Sequence, residues 1–310
     1  MKVLITGASG FIGKNFLKKL QNTPYEIVTI TRKPFSLGKE KNYSLDLKNS
    51  QKLKDILEEE KPDTVVHLAA GGVKYGEGTL EDIFKINAFS IINILDILKE
   101  INHYPKIIVA GSGFEYSLKN EPLKETDCLN PLSLYGISKA TQSMLLRRYK
   151  DDFTIFLLRF FSVYGVGEAS HRFFPYIISE TIKGNKVKLT GCEQIRDFIN
   201  VEDVSQCLLE FLKKDEEKGF FDFNVASGKE ISLKEAVNII SNLLKKYGFE
   251  PDIEFGALPY RKDEPMYYVA DINKLKNYLN WEPKISLEEG LEKLIQEHLD
   301  VLKRENRDYS

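Results

Sequence analysis

The stretch Thr6-Gly7-Ala8-Ser9-Gly10-Phe11-Ile12-Gly13 decides the fold, because it joins an apolar run at 2–5 to an amphipathic segment ending near Leu20. This order predicts a strand, a glycine turn and a helix. Its glycines allow a sharp turn and close approach to a ligand, and the helix N-terminus attracts a pyrophosphate. Turns also use glycine, but the position between strand and helix makes the motif specific. The predicted dinucleotide site comprises Gly7, Ser9, Gly10, Phe11, Ile12 and Gly13.

Composition limits the possible classes of protein. The chain has 310 residues, 42% of them hydrophobic, and a formal net charge of -2 from 44 basic and 46 acidic residues. It can bury a large core in one large or two closely joined domains. The interspersed charges give no nucleic-acid or membrane surface, and the 3 cysteines are too scattered for disulfides or a zinc site. We expect a cytoplasmic protein without a metal.

The end of the second predicted strand bears on the choice of cofactor. An NAD site usually has Asp or Glu about 20 residues beyond the glycine loop, whereas this chain has Thr31, Arg32 and Lys33 there. Cations can face a ribose 2′-phosphate, which a carboxylate would repel. We predict NADP(H) as the preferred cofactor, with NAD(H) possible; the alternative is a solvated basic turn. Asp46 and Leu47 would either begin the next helix or reach the adenine.

Small residues follow the apolar strand at 64–68. Leu68, Ala69 and Ala70 would lie at its carboxyl end, where open α/β sheets bind their ligands. His67 within this strand is interpreted as a core histidine. A long helix is predicted from Leu80 to Lys99, with Asn87 in its middle; because Asn disfavours helix interiors, a polar role near the cofactor is one interpretation and an exposed position the other.

A tyrosine and a lysine suggest the chemistry. Tyr135 and Lys139 are four residues apart, which places them on one helix face. An ammonium beside a phenol stabilises the phenolate, and the tyrosine can then serve as an acid or base. Ser112, after the strand at 106–110, could hydrogen-bond the same reacting oxygen. The pair alone is common on helices; its combination with the glycine loop and the serine is specific.

These motifs resemble the extended short-chain dehydrogenases/reductases of the nucleotide-sugar epimerase, dehydratase and reductase group over nearly the whole chain. The resemblance also rests on the stretches 159–165, 196–204 and 279–283. It implies Ser112, Tyr135 and Lys139 as the catalytic trio, a nucleotide-sugar substrate, and a homodimer formed through segments 80–99 and 131–149.

The strand–helix alternation predicts an α/β fold, a Rossmann-like doubly wound parallel sheet with a smaller interleaved α/β substrate domain. Residues 1–168, with 199–227 and 266–282 returning to them, would bind the dinucleotide, and most of 169–310 the nucleotide sugar. Ser162 and Val166 depart from the family pattern, in which asparagine and proline are usual. The candidate substrate-binding residues are Gly113, Phe114, Ser162, Arg172, Phe173, Arg196 and Arg261.

The resemblance leaves dehydration, reduction, epimerisation and cofactor sensing without turnover as possible functions. A 4,6-dehydratase of this group needs an Asp-Glu pair after the catalytic hydroxyl, where this chain has Gly113 and Phe114. The basic turn at Arg32 fits an exchangeable NADPH, and the segment 111–116 resembles ketoreductases. We predict reduction of the C4 keto group of a nucleotide-linked (dTDP, CDP or GDP type) 4-keto-6-deoxyhexose, in making an activated deoxysugar for surface polysaccharide. The alternatives are an NAD-dependent C4 epimerase and a dinucleotide sensor without turnover.

Overall fold

The computed structural model describes residues 1–72 and 78–308, with side chains through residue 304. The strands in this part of the chain are β1 (Lys2–Thr6), β2 (Glu26–Thr31), β3 (Lys41–Ser44), β4 (Thr64–His67), β5 (Lys106–Ser112), β6 (Thr154–Phe160), β7 (Ser162–Tyr164), β8 (Lys186–Lys188), β9 (Ile195–Arg196), β10 (Phe198–Asn200), β11 (Gly219–Val225), β12 (Ile231–Ser232), β13 (Asp252–Glu254) and β14 (Tyr267–Tyr268).

Helices connect most of these strands. They are α1 (Phe11–Leu20), α2 (Ser50–Glu60), α3 (Leu80–Phe84), α4 (Ser90–Glu100), α5 (Leu134–Leu146), α6 (Phe173–Ile182), α7 (Val201–Lys213), α8 (Leu233–Lys246), α9 (Asn273–Leu279) and α10 (Leu287–Asp308). Within the described ranges, no helix is both long enough and apolar enough to span a membrane.

Seven strands form a parallel sheet in the order β11-β6-β5-β4-β1-β2-β3. The chain runs outward from β1 to β3 and then crosses to β4 on the other side of β1. This reversal creates a crevice at the carboxyl ends of β1 and β4, which is where doubly wound sheets bind ligands. The predicted doubly wound fold is confirmed.

Both faces of the sheet are covered by helices, and the strand period of two explains how. Val3 and Ile5 on β1 pack into one core with α1 and α7, whereas Leu4 packs into the other with α2 and α4. Successive side chains of a strand point to opposite faces, so an all-apolar strand such as this one serves two cores at once. The loops of the site therefore follow strands that are packed on both faces.

A further hydrophobic core lies outside this sheet. It is built by α6, α8 and α10 together with Val187 of β8. Short strands form smaller sheets beside it, and one of them places β14 parallel to β9 with Tyr268 opposite Arg196. This pairing brings a segment from late in the chain to the neighbourhood of the site.

The helix predicted from Leu80 to Lys99 is present and ends at Glu100, but it is not α-helical throughout. Between α3 and α4 the chain forms a π-helical turn over Lys85–Phe89, which contains Asn87. The Asn87 side chain bonds to the backbone of Gly71 through both its oxygen and its nitrogen. A π turn re-aims one residue within a helix and is often found at functional sites; here it directs a polar side chain at the loop after β4.

Candidate active site

The parallel register brings most of the predicted site to one edge of the sheet. Thr6, Thr31, His67 and Ser112 are the last residues of β1, β2, β4 and β5. Because these strands are parallel neighbours, their carboxyl ends lie side by side and the loops that follow them meet there.

The glycine loop is shaped by close approach of the backbone. Gly7 has φ +75, and a Cβ on it would lie 2.5 Å from the backbone nitrogen of Ala69. A Cβ on Gly13 would overlap the carbonyl oxygen of Gly7. The loop therefore packs against both the turn after β4 and the start of α1, and a side chain at either position has no room.

The start of α1 fits the pyrophosphate of a dinucleotide. Gly10 is the N-cap, the first turn carries no acidic side chain, and Ser9 and Gly10 are exposed. Free backbone N–H groups and the positive end of the helix dipole therefore face outward at the crevice. A Cβ on Gly10 would meet the Gly7 carbonyl oxygen at 3.2 Å and no other neighbour, so the outer side of the loop is open to a ligand.

The end of β2 presents two exposed cations. Arg32 and Lys33 are both exposed, and they follow a buried Thr31 whose hydroxyl donates to the Lys33 carbonyl at 2.7 Å. Asp46 accepts from the backbone nitrogen of Lys48 at 3.0 Å. Asn49 caps α2, so the capping alternative for Asp46 is wrong. Leu47 is buried in the core beneath α2.

His67 is a core residue, as the sequence indicates. Its Nδ1 lies 2.8 Å from the Thr6 hydroxyl and its Nε2 lies 3.1 Å from the Ser90 hydroxyl. Burial, together with the nearby Lys139 ammonium, lowers the pKa of His67 to about 3. The imidazole is therefore neutral and links β1, β4 and α4.

Asn87 connects two parts of the site. Besides its two bonds to Gly71, its Nδ2 donates to the Ser138 hydroxyl at 2.9 Å. Ser138 in turn donates to the Tyr135 carbonyl at 2.7 Å. The buried amide thus ties the loop after β4 to the helix that carries Tyr135, and a contact with cofactor stays a prediction.

Lys139 is buried on the inner face of α5. Ser133 begins this helix by accepting from the Gly136 nitrogen at 3.0 Å, which places Tyr135 in the first turn. The Lys139 ammonium donates to the Ala110 carbonyl at 2.8 Å and to Gln142 Oε1 at 3.2 Å. Burial lowers the pKa of Lys139 to about 8, against an opposing effect of the Glu115 carboxylate.

The Tyr135 phenol is held in its protonated form. Burial raises its pKa to about 12, while the Ser112 hydroxyl and the Arg172 guanidinium act to lower it. Ser112 ends β5 two residues before Phe114, whose ring meets Tyr135 edge-on, and the predicted role of the serine stays a prediction. Because the ammonium of Lys139 is engaged with Ala110 and α5, its predicted tuning of the phenol stays a prediction.

A buried ionic network supports Ser112 from behind. Glu115 accepts from the Ser112 backbone nitrogen at 2.8 Å, from the Ser143 hydroxyl at 2.6 Å and from Arg159 Nε at 2.8 Å. Arg159 also donates to Asp222 at 2.9 Å. Sequence reasoning missed Glu115, although Ser-x-x-Glu is the signal of the capping box that the two residues form. The network fixes the end of β5.

Aromatic rings form one wall of the site. Phe114 stacks on Tyr268 with centroids 4.7 Å apart and meets Tyr135 edge-on at 6.5 Å. Phe161 stacks on Tyr268 from the other side at 4.7 Å. Gly113 lies against this stack, since a Cβ on it would be 2.5 Å from the Tyr268 hydroxyl. Of the predicted substrate residues, Gly113 and Phe114 are thus beside the catalytic candidates.

The arginines differ in their surroundings. Arg196 is paired with Glu264 at 2.6 Å and donates to the Pro265 carbonyl at 2.6 Å, so it holds the segment before β14. Arg172 is exposed, pairs with Glu168 at 3.4 Å, and is close enough to Tyr135 to affect its pKa.

The other substrate predictions lie further along the chain. Ser162 begins β7 opposite Phe198, and Phe173 packs edge-on against Phe174 at the start of α6. Arg261 is exposed in the loop between β13 and β14. Their contacts with a substrate stay predictions.

A doubly wound sheet with this glycine loop and a Ser–Tyr–Lys constellation defines the class of extended short-chain dehydrogenases/reductases. A profile of the NAD dependent epimerase/dehydratase family matches residues 3–226. The chain belongs to this family. It is therefore an NAD-dependent enzyme of the nucleotide-sugar-modifying class, which confirms the class predicted from the sequence.

Relatives of known name span nearly the whole chain. CDP-abequose synthase of Salmonella typhimurium is 30% identical over 307 residues, covering 95% of this chain and 97% of that protein. UDP-glucuronate 4-epimerase of Thermodesulfobacterium geofontis is 29% identical and covers 97% and 98%. The solved structure of MoeE5 in complex with UDP-glucuronic acid and NAD has a TM-score of 0.87 at 27% identity, covering 97% of this chain and all of that chain (100%).

Proposed function

We propose that the protein reduces the C4 carbonyl of a nucleotide-linked 4-keto-6-deoxyhexose. The observation that carries the proposal is that Gly113 and Phe114 occupy the positions of the carboxylates that dehydration needs, with the Phe114 ring edge-on to Tyr135. A phenol that remains protonated at neutral pH is suited to donate a proton. The similarity to CDP-abequose synthase supports a nucleotide-linked deoxyhexose as substrate.

Each residue of the site has a proposed role that follows from its position. When bound, a nicotinamide dinucleotide would supply the hydride to C4. The N–H groups at Gly10 would hold its pyrophosphate and Lys139 would orient its ribose. Ser112 would hydrogen-bond the carbonyl oxygen. Tyr135 would give its proton to that oxygen as the hydride reaches C4, which completes the alcohol.

The cofactor preference is proposed from the end of β2. Arg32 and Lys33 are exposed at the predicted position of the adenosine ribose, and no acidic residue stands between Thr31 and Pro34. This supports NADPH. Arg32→Ala should weaken NADPH binding and leave NADH binding nearly unchanged. The matched control is Arg148→Ala, which removes an exposed arginine elsewhere. Tighter binding of NADH than NADPH by the wild type would contradict the charge argument.

Epimerisation at C4 is the second candidate, favoured by the 29% identity to UDP-glucuronate 4-epimerase. The two reactions use the same Tyr135 and Ser112 but differ in the fate of the cofactor. An epimerase retains its cofactor and takes the hydride back, whereas a reductase consumes one NADPH per product.

The deciding experiment identifies the cofactor released from the purified protein and then follows absorbance at 340 nm with NADPH and a nucleotide-linked 4-keto-6-deoxyhexose. Steady NADPH consumption that Tyr135→Phe removes, with NADPH affinity within a few-fold of wild type, supports the reductase. Stoichiometric bound NAD, no NADPH consumption and interconversion of hexose epimers would establish the epimerase instead.

A homodimer is proposed, with its interface formed by the helical segments 80–99 and 131–149. Phe89, Ile137 and Met144 expose 49%, 40% and 55% of their surface on and next to α4 and α5. Large apolar side chains exposed on neighbouring helices favour a second copy of the chain as partner. Light scattering should give twice the 35.6 kDa of the chain. A mass near that of one chain would contradict the dimer.

A further inference from the structure

Tyr268 carries a buried hydroxyl that lacks a hydrogen-bond partner among the described residues. The residue is 2% exposed and belongs to β14, far along the chain from the catalytic candidates. Buried hydroxyls in folded proteins are nearly always bonded, because an unpaired one is costly. The buried position of the Tyr268 hydroxyl therefore requires an explanation that packing alone does not give.

The surrounding groups fix where this hydroxyl lies. The ring is held between Phe114 and Phe161, with both centroids 4.7 Å away. Its oxygen would be 2.5 Å from a Cβ on Gly113, the residue directly after Ser112. Only glycine leaves room for the phenol there, so the hydroxyl rests against the backbone beside the catalytic serine.

Two tyrosines lie against the residues that follow Ser112. The Tyr268 hydroxyl rests against Gly113, and the Tyr135 ring meets Phe114 edge-on at 6.5 Å. Burial raises the pKa of both phenols and the Ser112 hydroxyl acts to lower it. Ser112 Oγ already accepts one hydrogen bond, from the Phe114 nitrogen at 3.2 Å. A serine oxygen can accept a second, and its own proton then has one remaining direction.

We propose that Tyr268 is a positioning residue that acts through Ser112: its hydroxyl donates to Ser112 Oγ when substrate is bound, and so directs the serine proton at the substrate oxygen. This inference rests on the proposed function, because it concerns the serine that contacts the C4 oxygen. Tyr268 itself need not touch the substrate. Its hydroxyl stays unpaired until Ser112 reorients towards a carbonyl.

The test is a double-mutant cycle with Tyr268→Phe and Ser112→Ala, measured as kcat and KM. Tyr268→Phe keeps the ring stack and removes only the hydroxyl. It should lower kcat by about tenfold with KM within about twofold, as expected for an interaction realised in the transition state. In the Ser112→Ala background the same change should have less than about a twofold effect, because the route through the serine is gone.

The melting temperature separates this role from a structural one. Removing an unpaired buried hydroxyl should leave the melting temperature of Tyr268→Phe at or above that of the wild type. The matched control is Tyr267→Phe, which removes a hydroxyl bonded to Glu230 at 2.9 Å on the exposed side of the same strand. It should leave kcat unchanged. An equal loss of kcat in both Ser112 backgrounds, or an unchanged kcat in Tyr268→Phe, would overturn the proposal.

Failure of this inference can be distinguished from failure of the proposed function. If the wild type consumes no NADPH but interconverts epimers, the reductase assignment fails and the cycle is measured on epimerisation, where Ser112 meets the same oxygen. If neither reaction occurs, the proposed function fails and this inference falls with it, because no substrate oxygen then meets Ser112. A wild type that turns over but shows additive losses in the cycle refutes the inference alone.

Discussion

Replacing Glu115 with glutamine perturbs the buried network behind Ser112 with almost no change of shape. The carboxylate accepts from Ser112 through one oxygen and from Ser143 and Arg159 through the other. A glutamine has one carbonyl oxygen and one NH2 group. Whichever way the amide turns, one N–H donor of Ser112 or Arg159 faces another donor.

The expected loss of unfolding free energy in Glu115→Gln follows from the burial of these groups. Glu115 is 0% and Arg159 1% exposed, and breaking a fully buried pair by removing one partner costs about 3–5 kcal/mol. Asp222 still neutralises Arg159 at 2.9 Å, so we expect the lower end, about 3 kcal/mol. With a urea m-value of about 3 kcal/mol/M, the unfolding midpoint falls by about 1 M.

Urea unfolding of the variant can be followed by fluorescence of Trp281, the only tryptophan, which packs against the core beneath α1 and α7. Activity should also fall, because the backbone of Ser112 loses its support. The control Glu217→Gln removes one negative charge from an exposed site. A Glu115→Gln midpoint within about 0.2 M of wild type would refute the reasoning.

Three further predictions concern the loop and two titrating groups. Gly13→Ala should weaken dinucleotide binding by more than about tenfold in calorimetry and lower the melting temperature, because its Cβ overlaps the Gly7 carbonyl. Gly10→Ala should lower the melting temperature less, because its Cβ would meet that carbonyl oxygen at 3.2 Å and no other neighbour. Burial raises the pKa of Glu168 to about 7 from 4.5, so ionisation opposes folding and stability is lost as pH rises between those values. The free energy of unfolding of Glu168→Gln, relative to that of wild type, should rise by about 2–3 kcal/mol between pH 5 and pH 8. Melting temperatures of the two proteins that change in parallel with pH would contradict this. The pKa of His67 falls from 6.5 to about 3 on folding, so the stability that the neutral imidazole contributes is present above pH 6.5 and is lost as pH falls towards 3. The wild type should lose about 2 kcal/mol from this group between pH 7 and pH 5, and His67→Gln should lack that loss in urea midpoints.

Features that depend on neighbours in the chain were predicted from the sequence. The glycine loop and the alternating strands and helices follow from local spacing and apolar runs, whereas the class of enzyme follows from the family resemblance of the motifs. His67 was interpreted as a core residue from its apolar strand, and the structure confirms it. The predicted helix from Leu80 to Lys99 is present, but its π turn over Lys85–Phe89, where Asn87 bonds to Gly71, has no local signal in the sequence.

Features that depend on register across the sheet could not be predicted from the sequence. Glu115 meets Arg159 because β5 and β6 are parallel neighbours, and Asp222 joins them only because β11 returns beside β6. Tyr268 lies against Gly113 and Phe114 through the pairing of β14 with β9, which no local pattern indicates. The sequence by itself determined the glycine loop at residues 6–13, which is the proposed cofactor site, and the order of the catalytic candidates along the chain. The tertiary structure alone decided which buried groups support them, since those contacts join segments whose separation in the chain carries no periodic signal.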